Sequence, residues 1–118
     1  MILERRLSAE ECTSKLSHIS DSLYVIGGKW KLPVIVALIE GSKRFNEIQR
    51  AVAGISARVL SSELKELELN GFVKRTVHAN TPVVVEYEIT AYADSLNPIL
   101  DSLAAWGALH RDKLKNDR

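Results

Sequence analysis

The feature that most constrains this chain is a change of hydrophobic period at Asn70-Gly71. Before it, apolar residues recur at helical spacing; after it, they alternate. Leu60, Leu64 and Leu67 fall at i, i+4 and i+7 and therefore share one helix face. Beyond Gly71, FVKRTV and VVVEYEI are rich in β-branched residues, with Val85, Tyr87 and Ile89 alternating with Glu86 and Glu88. HANTP lies between them and carries the turn formers Asn80 and Pro82. The expected fold is mainly α with one small β-hairpin.

The helices upstream can be bounded from their punctuation. Residues 1 to about 14 are polar and charged, an arm or a short helix. Ile19, Leu23 and Ile26 then step at helical spacing until Gly27-Gly28 stops them. KWKLPVIVALIEG gives a mostly buried helix; Pro33 fits only its first turn, which sets the start near Lys29 to Leu32. SKRFNEIQRAV is a short amphipathic helix with Phe45, Ile48 and Val52 inward. Ala53-Gly54 makes a turn, Ser56 is a good N-cap for the next helix, and Asn70-Gly71 ends it. After the hairpin, Thr90 caps a C-terminal helix in which Tyr92, Leu96, Ile99, Leu103, Trp106 and His110 step by 4-3-4-3-4. Pro98 predicts a kink or a late start there.

The helix that follows Ser56 has an unusual outer face. Stepping about 100° per residue from Leu60 puts Arg58, Ser61, Ser62 and Lys65 roughly 100° to 200° away, opposite the leucines. Serine is a middling helix former, so two of them there are not placed for helix stability. Short hydroxyls between two cations suit close approach to an anionic, hydrogen-bonding partner. A short helix, a tight turn, a longer helix and then a hairpin is the order of a winged helix-turn-helix, in which the second helix lies in a DNA major groove. On that reading Arg58 makes bidentate contact with guanine, Ser61 and Ser62 admit the backbone to base edges, and Lys65 neutralises phosphate. The hairpin tip, His78 to Pro82, reaches the backbone or the minor groove.

Composition narrows the alternatives. At 118 residues the chain is one domain, and a net charge of +1 means that an anionic partner must be met by a local patch. The run LPVIVALI (32–39) is too short to span a membrane, and no apolar segment follows Arg5 and Arg6 as in a signal peptide. One cysteine, Cys12, makes no internal disulfide, so a cytoplasmic location is expected. His18, His78 and His110 are dispersed and share no metal-ligand spacing with carboxylates, which speaks against an enzyme, a metal or a cofactor. Gly27-Gly28 lacks the length and the Lys-Ser/Thr of a phosphate loop and reads as a tight turn.

The motifs IGGKW (26–30), KRFNEIQ (43–49), GIS followed by VLSSELKELELNGFV (54–73), PVVVEYEIT (82–90) and LNPILDSLAAWG (96–107) together resemble the HxlR-type family of bacterial and archaeal transcriptional regulators. The resemblance runs over roughly residues 17 to 107. It implies a homodimeric DNA-binding repressor or activator, with the recognition helix starting near Ser56 and dimerisation helices at both ends. Two departures stand out. The family's N-terminal cysteine lies about thirteen residues before the tryptophan of IGGKW, which here is Ser17; Cys12 lies five residues earlier and precedes threonine rather than proline. Ala93 stands where the family commonly has glycine.

These readings give an N-terminal arm (1–16), a winged helix-turn-helix domain (17–89) and a C-terminal dimerisation helix with a charged tail (90–118). The expected DNA contacts are Lys43, Arg44, Ser56, Ala57, Arg58, Ser61, Ser62, Lys65, Arg75, His78, Asn80 and Thr81. For Arg75, pairing across the hairpin with Glu86 or Glu88 is an equal alternative. Glu63, Glu66 and Glu68 flank the recognition helix, either pairing with Lys65 or repelling the DNA backbone on both sides. Leu96, Ile99, Leu100, Leu103 and Trp106 are the expected dimer interface; paired about a two-fold axis they would put two recognition helices on a pseudo-palindromic operator. A small-molecule or oxidant effector is open, with Cys12 as a possible redox site. The alternatives are a redox-sensing regulator switched through Cys12, or a winged-helix protein–protein module without DNA binding.

Overall fold

The computed structural model describes residues 8–117. Its order is helix α1 (Ala9–Ile26), helix α2 (Lys31–Ile39), strand β1 (Lys43–Arg44), helix α3 (Phe45–Ala51), helix α4 (Ala57–Leu69), strands β2 (Val73–His78) and β3 (Val84–Ile89), a 3₁₀ helix (Ala91–Leu96) and helix α5 (Asn97–Asn116). The stretch 9–16, expected as an arm or a short helix, is the first half of α1. Ser8 starts it by accepting from the Glu11 N–H at 3.1 Å, a capping arrangement that is local but easily lost among polar residues.

The core is assembled by the middle of the chain. Val34, Ile35 and Leu38 of α2, Ile48 of α3, and Leu60, Leu64 and Leu67 of α4 are all 2% exposed or less. Val52, Ile55, Phe72, Val73, Ala93 and Leu96 close the same cluster, and Ile26 joins it from the end of α1. Each Val, Leu, Ile or Phe side chain so taken from water contributes about 1.5–3 kcal/mol.

The end of α4 is tied to the hairpin by its own capping. Gly71 adopts φ +84°, donates to the Glu68 carbonyl, and lets Phe72 N–H reach the Leu67 carbonyl at 3.0 Å. Thr90 completes the tie: its Oγ1 donates to the Gly71 carbonyl at 2.5 Å and its N–H to Phe72 O at 3.0 Å. The wing is a three-stranded antiparallel sheet in the order β1-β3-β2, not the two-stranded hairpin expected. β1 is only two residues long, with Lys43 opposite Tyr87 and Arg44 opposite Glu86, too short for any periodicity to reveal. Thr90 caps the 3₁₀ helix rather than α5, and Pro98 sits in the first turn of α5, the late start that its missing N–H demands.

The two terminal helices project from this centre. Of α1 only Ile26 is buried, and α5 buries no residue. The radius of gyration is 17.9 Å, against about 13.5 Å for a compact chain of this length, and the molecule measures 61 × 38 × 23 Å. Among the described residues no single helix is long and apolar enough to cross a membrane.

Candidate nucleic-acid interface

The turn between α3 and α4 is rigid for identifiable reasons. Gly54 takes φ +86°, a conformation that other residues adopt only under strain, and a side chain there would meet Trp30. Gln49 of α3 donates from Nε2 to the Ile55 carbonyl at 3.3 Å, and Ile55 itself is buried. Ser56 accepts from the Val59 N–H at 3.1 Å and fixes the first turn of α4. One of its two lone pairs serves this cap, leaving the O–H and the second lone pair for an outside partner.

With Leu60, Leu64 and Leu67 inward, α4 turns Ala57, Arg58, Ser62 and Lys65 outward, all exposed. The side chains of Arg58, Ser62 and Lys65 make no hydrogen bond or ion pair among the described residues, so their bonding capacity is unspent. Ser61 is half-buried at the stripe's edge. Leu69 lies on the same stripe and is 86% exposed, a position the sequence reading passed over.

The carboxylates on α4 do not pair with Lys65. Lys31, at the start of α2, puts Nζ 2.9 Å from Glu63 Oε2 and 2.5 Å from Glu66 Oε2. The Glu66 hydrogen bond outweighs partial desolvation and raises the lysine above its ordinary value of 10.5, with Glu63 adding in the same direction. Two of the three glutamates are thus drawn to one flank, and only Glu68 stays outside this cluster.

Around the sheet, several expected contacts are already engaged. Lys43 is half-buried with Nζ 3.2 Å from Glu40 Oε2, so it would have to leave that carboxylate to reach phosphate. Arg44 is exposed, and its N–H donates to Glu47 Oε1 at 2.8 Å at the start of α3. Because arginine has no acceptor, only this half of a capping box forms. His78 closes β2 rather than standing in the turn; its Nε2 lies 2.8 Å from Glu86 Oε1, while Glu86 Oε2 accepts from Ser42 at 3.2 Å. The turn itself is residues 79–83, where Asn80 and Thr81 are exposed.

Arg75 stands opposite Tyr87, on the sheet face of Val73, Val77, Val85 and Ile89. Successive strand residues face opposite ways, so Glu86 and Glu88 point from the other face and an Arg75 pair with either is excluded. Arg75 is exposed and makes no side-chain hydrogen bond or ion pair among the described residues, which leaves its charge available.

Along the expected dimer face, Leu96 is a correction. It is 6% exposed within the chain's own core, because the 3₁₀ helix turns it inward. Ile99, Leu103 and Trp106 are 41%, 49% and 62% exposed, Leu100 is half-buried, and Trp106 stacks on His110 with centroids 5.1 Å apart. The stripe extends to Leu109 and Leu114, and α1 adds exposed Leu16, Ile19, Leu23 and Tyr24. Cys12 is an exposed free thiol in the second turn of α1.

Comparison with known proteins places these features in a family. The HxlR-like helix-turn-helix family matches residues 25–115. The chain is 41% identical over 99 residues to the HTH-type transcriptional regulator YtcD of Bacillus subtilis, covering 84% of this chain and 79% of that one. Among solved structures, a transcriptional regulator of the MarR family from Enterococcus faecalis superposes with a TM-score of 0.77 at 38% identity, over 86% of this chain and 93% of the other. The redox regulator HypR in its reduced form does so with a TM-score of 0.75 at 41% identity, over 83% and 97%. The chain belongs to the HxlR-like helix-turn-helix family of transcriptional regulators.

Proposed function

We propose that the chain acts as a homodimer that binds a pseudo-palindromic DNA operator in the cytoplasm and represses or activates transcription there. The observation that carries this reading is the exposed, unpaired stripe Arg58, Ser62 and Lys65, held outward on a helix whose opposite face is locked in the core. In the groove, Arg58 reads a base edge bidentately and Lys65 neutralises phosphate. Arg44, Arg75, Asn80 and Thr81 supply backbone contacts beside it. The apolar stripe of α5, helped by α1, is buried in the dimer, setting two recognition helices about 10 bp, or a multiple of that, apart. The test is fluorescence-anisotropy binding to pooled genomic fragments and scrambled DNA over a salt series. Preference of roughly a thousandfold for a selected fragment is the expected result. Weak binding that ignores sequence would instead favour a winged-helix module for protein partners.

A second reading has one observation behind it. Cys12 is an exposed thiol, and HypR, a redox regulator, is among the similar structures. In that reading oxidation of Cys12 changes the angle between protomers, and with it the spacing that the operator measures. Cys12→Ser should abolish any oxidant-induced change in DNA affinity while leaving reduced-state affinity intact.

A further inference from the structure

Helix α4 has an adverse charge balance for a DNA reader. It carries two cations, Arg58 and Lys65, against three carboxylates, Glu63, Glu66 and Glu68. A net acidic helix is repelled by the phosphates it must lie between. The compensating charge comes from another element. Lys31 reaches across from the first turn of α2 and contacts both Glu63 and Glu66, at 2.9 and 2.5 Å. The Lys31 and Glu63 side chains are only 13% and 19% exposed, so this is an enclosed clamp rather than a solvated surface pair. Glu66 is 51% exposed and lies at the open end, toward the outer face of the helix.

We propose that Lys31 is a positioning residue for DNA recognition: it neutralises the acidic flank of α4, so that Arg58, Ser62 and Lys65 can approach the phosphates. The proposal rests on the DNA-binding reading above. With Lys31 counted, the recognition helix meets DNA as a neutral body bearing a cationic stripe. Without it, two carboxylates stand beside that stripe, one of them in a nearly closed site. The flank matters because Glu66 and Glu63 sit roughly 80° and 140° around the helix from Arg58, close enough for their charge to act on the same phosphates. Lys31 remains charged throughout the neutral range, since its partners hold its pKa above the ordinary lysine value.

The test compares anisotropy binding of the wild type, K31M, E63Q/E66Q and the triple variant K31M/E63Q/E66Q to the genomic fragment that the wild type binds best, with thermal melting of each. K31M should bind about five- to tenfold more weakly at about 0.1 M salt, the deficit shrinking as salt screens the freed carboxylates. The triple variant should return to within about twofold of the wild type, because the two carboxylates that Lys31 offsets are removed together with it. E63Q/E66Q, which keeps Lys31 and removes its partners, should bind about threefold more tightly. A role in stability alone predicts changed melting with no recovery of affinity in the triple variant. Folded K31M with wild-type affinity, or a triple variant as weak as K31M, overturns the proposal. If K31M does not fold, E63Q/E66Q binding no more tightly than the wild type overturns it. Absence of saturable wild-type binding to any fragment would remove the DNA reading and this proposal together, whereas wild-type binding with unaffected variants removes the Lys31 role alone.

Discussion

Helices α4 and α5 carry leucines at the same kind of spacing and meet different fates. In α4, Leu60, Leu64 and Leu67 are at most 2% exposed, enclosed by α2, α3 and the hairpin. In α5, Leu103 and Trp106 are 49% and 62% exposed, and none of its twenty residues is buried. An isolated amphipathic helix of that length is marginal in water, since helices in proteins draw most of their stability from packing one face. The apolar stripe of α5 therefore lacks within this chain the partner that α4 has. The contrast separates a centre that supplies its own core from arms whose apolar faces the chain leaves uncovered, the faces that the proposed dimer would bury. Residues that hold the recognition helix should act on folding, and residues on the arms on assembly.

The sharpest way to break this contrast is to strike both stripes equally. Leu64→Ala should destabilise the fold by about 2–5 kcal/mol in chemical denaturation, because it leaves a cavity in a closed core. Trp106→Ala should leave the secondary structure of the centre intact in circular dichroism and weaken the dimer by about 2–4 kcal/mol in sedimentation equilibrium. If Trp106→Ala instead unfolds the centre, the division between the two regions is wrong. On the DNA face, Arg58→Ala should cost about 1–3 kcal/mol of binding to the selected fragment and nothing measurable in thermal stability. Ser56→Ala removes the cap of α4 and should lower stability by about 1 kcal/mol in the same denaturation series.

The smallest effect is one of pH. Lys31 is held above 10.5 in the folded chain, so its contribution to stability is complete below pH 10.5 and is lost as pH rises through the raised value. The alkaline arm of the wild-type stability curve should therefore fall more steeply than that of K31M. Parallel arms would mean that the clamp adds no stability of its own.

What was legible in the sequence was what is decided within a turn or two of chain. The Ser56 cap, the Gly71 stop, the Pro33 and Pro98 limits, the leucine stripe and the alternation of β3 all rest on neighbours fewer than about ten residues apart, as the periods require. What escaped depends on distant partners. Lys31 is separated from Glu63 and Glu66 by more than thirty positions, so glutamates that seem in sequence to pair with Lys65 of their own helix pair instead with a lysine of α2. The same holds for Glu86, which gathers Ser42 and His78 from opposite sides of the sheet, and for β1, whose two residues form a strand only because β3 lies beside them. Arg75 could be placed only once the register set Tyr87 opposite it. Leu96 fits the α5 seam by spacing, yet the 3₁₀ geometry of 91–96 rotates it into the core.

The measurement that tests the account most directly is hydroxyl-radical footprinting of the wild-type protein on its best-bound genomic fragment. The account predicts two protected patches related by approximate two-fold symmetry, about 10 bp or a multiple of it apart, appearing together as protein is added. A single unpaired patch, or two that fill independently, would contradict the claim that the arms join two copies to set the spacing of their recognition helices.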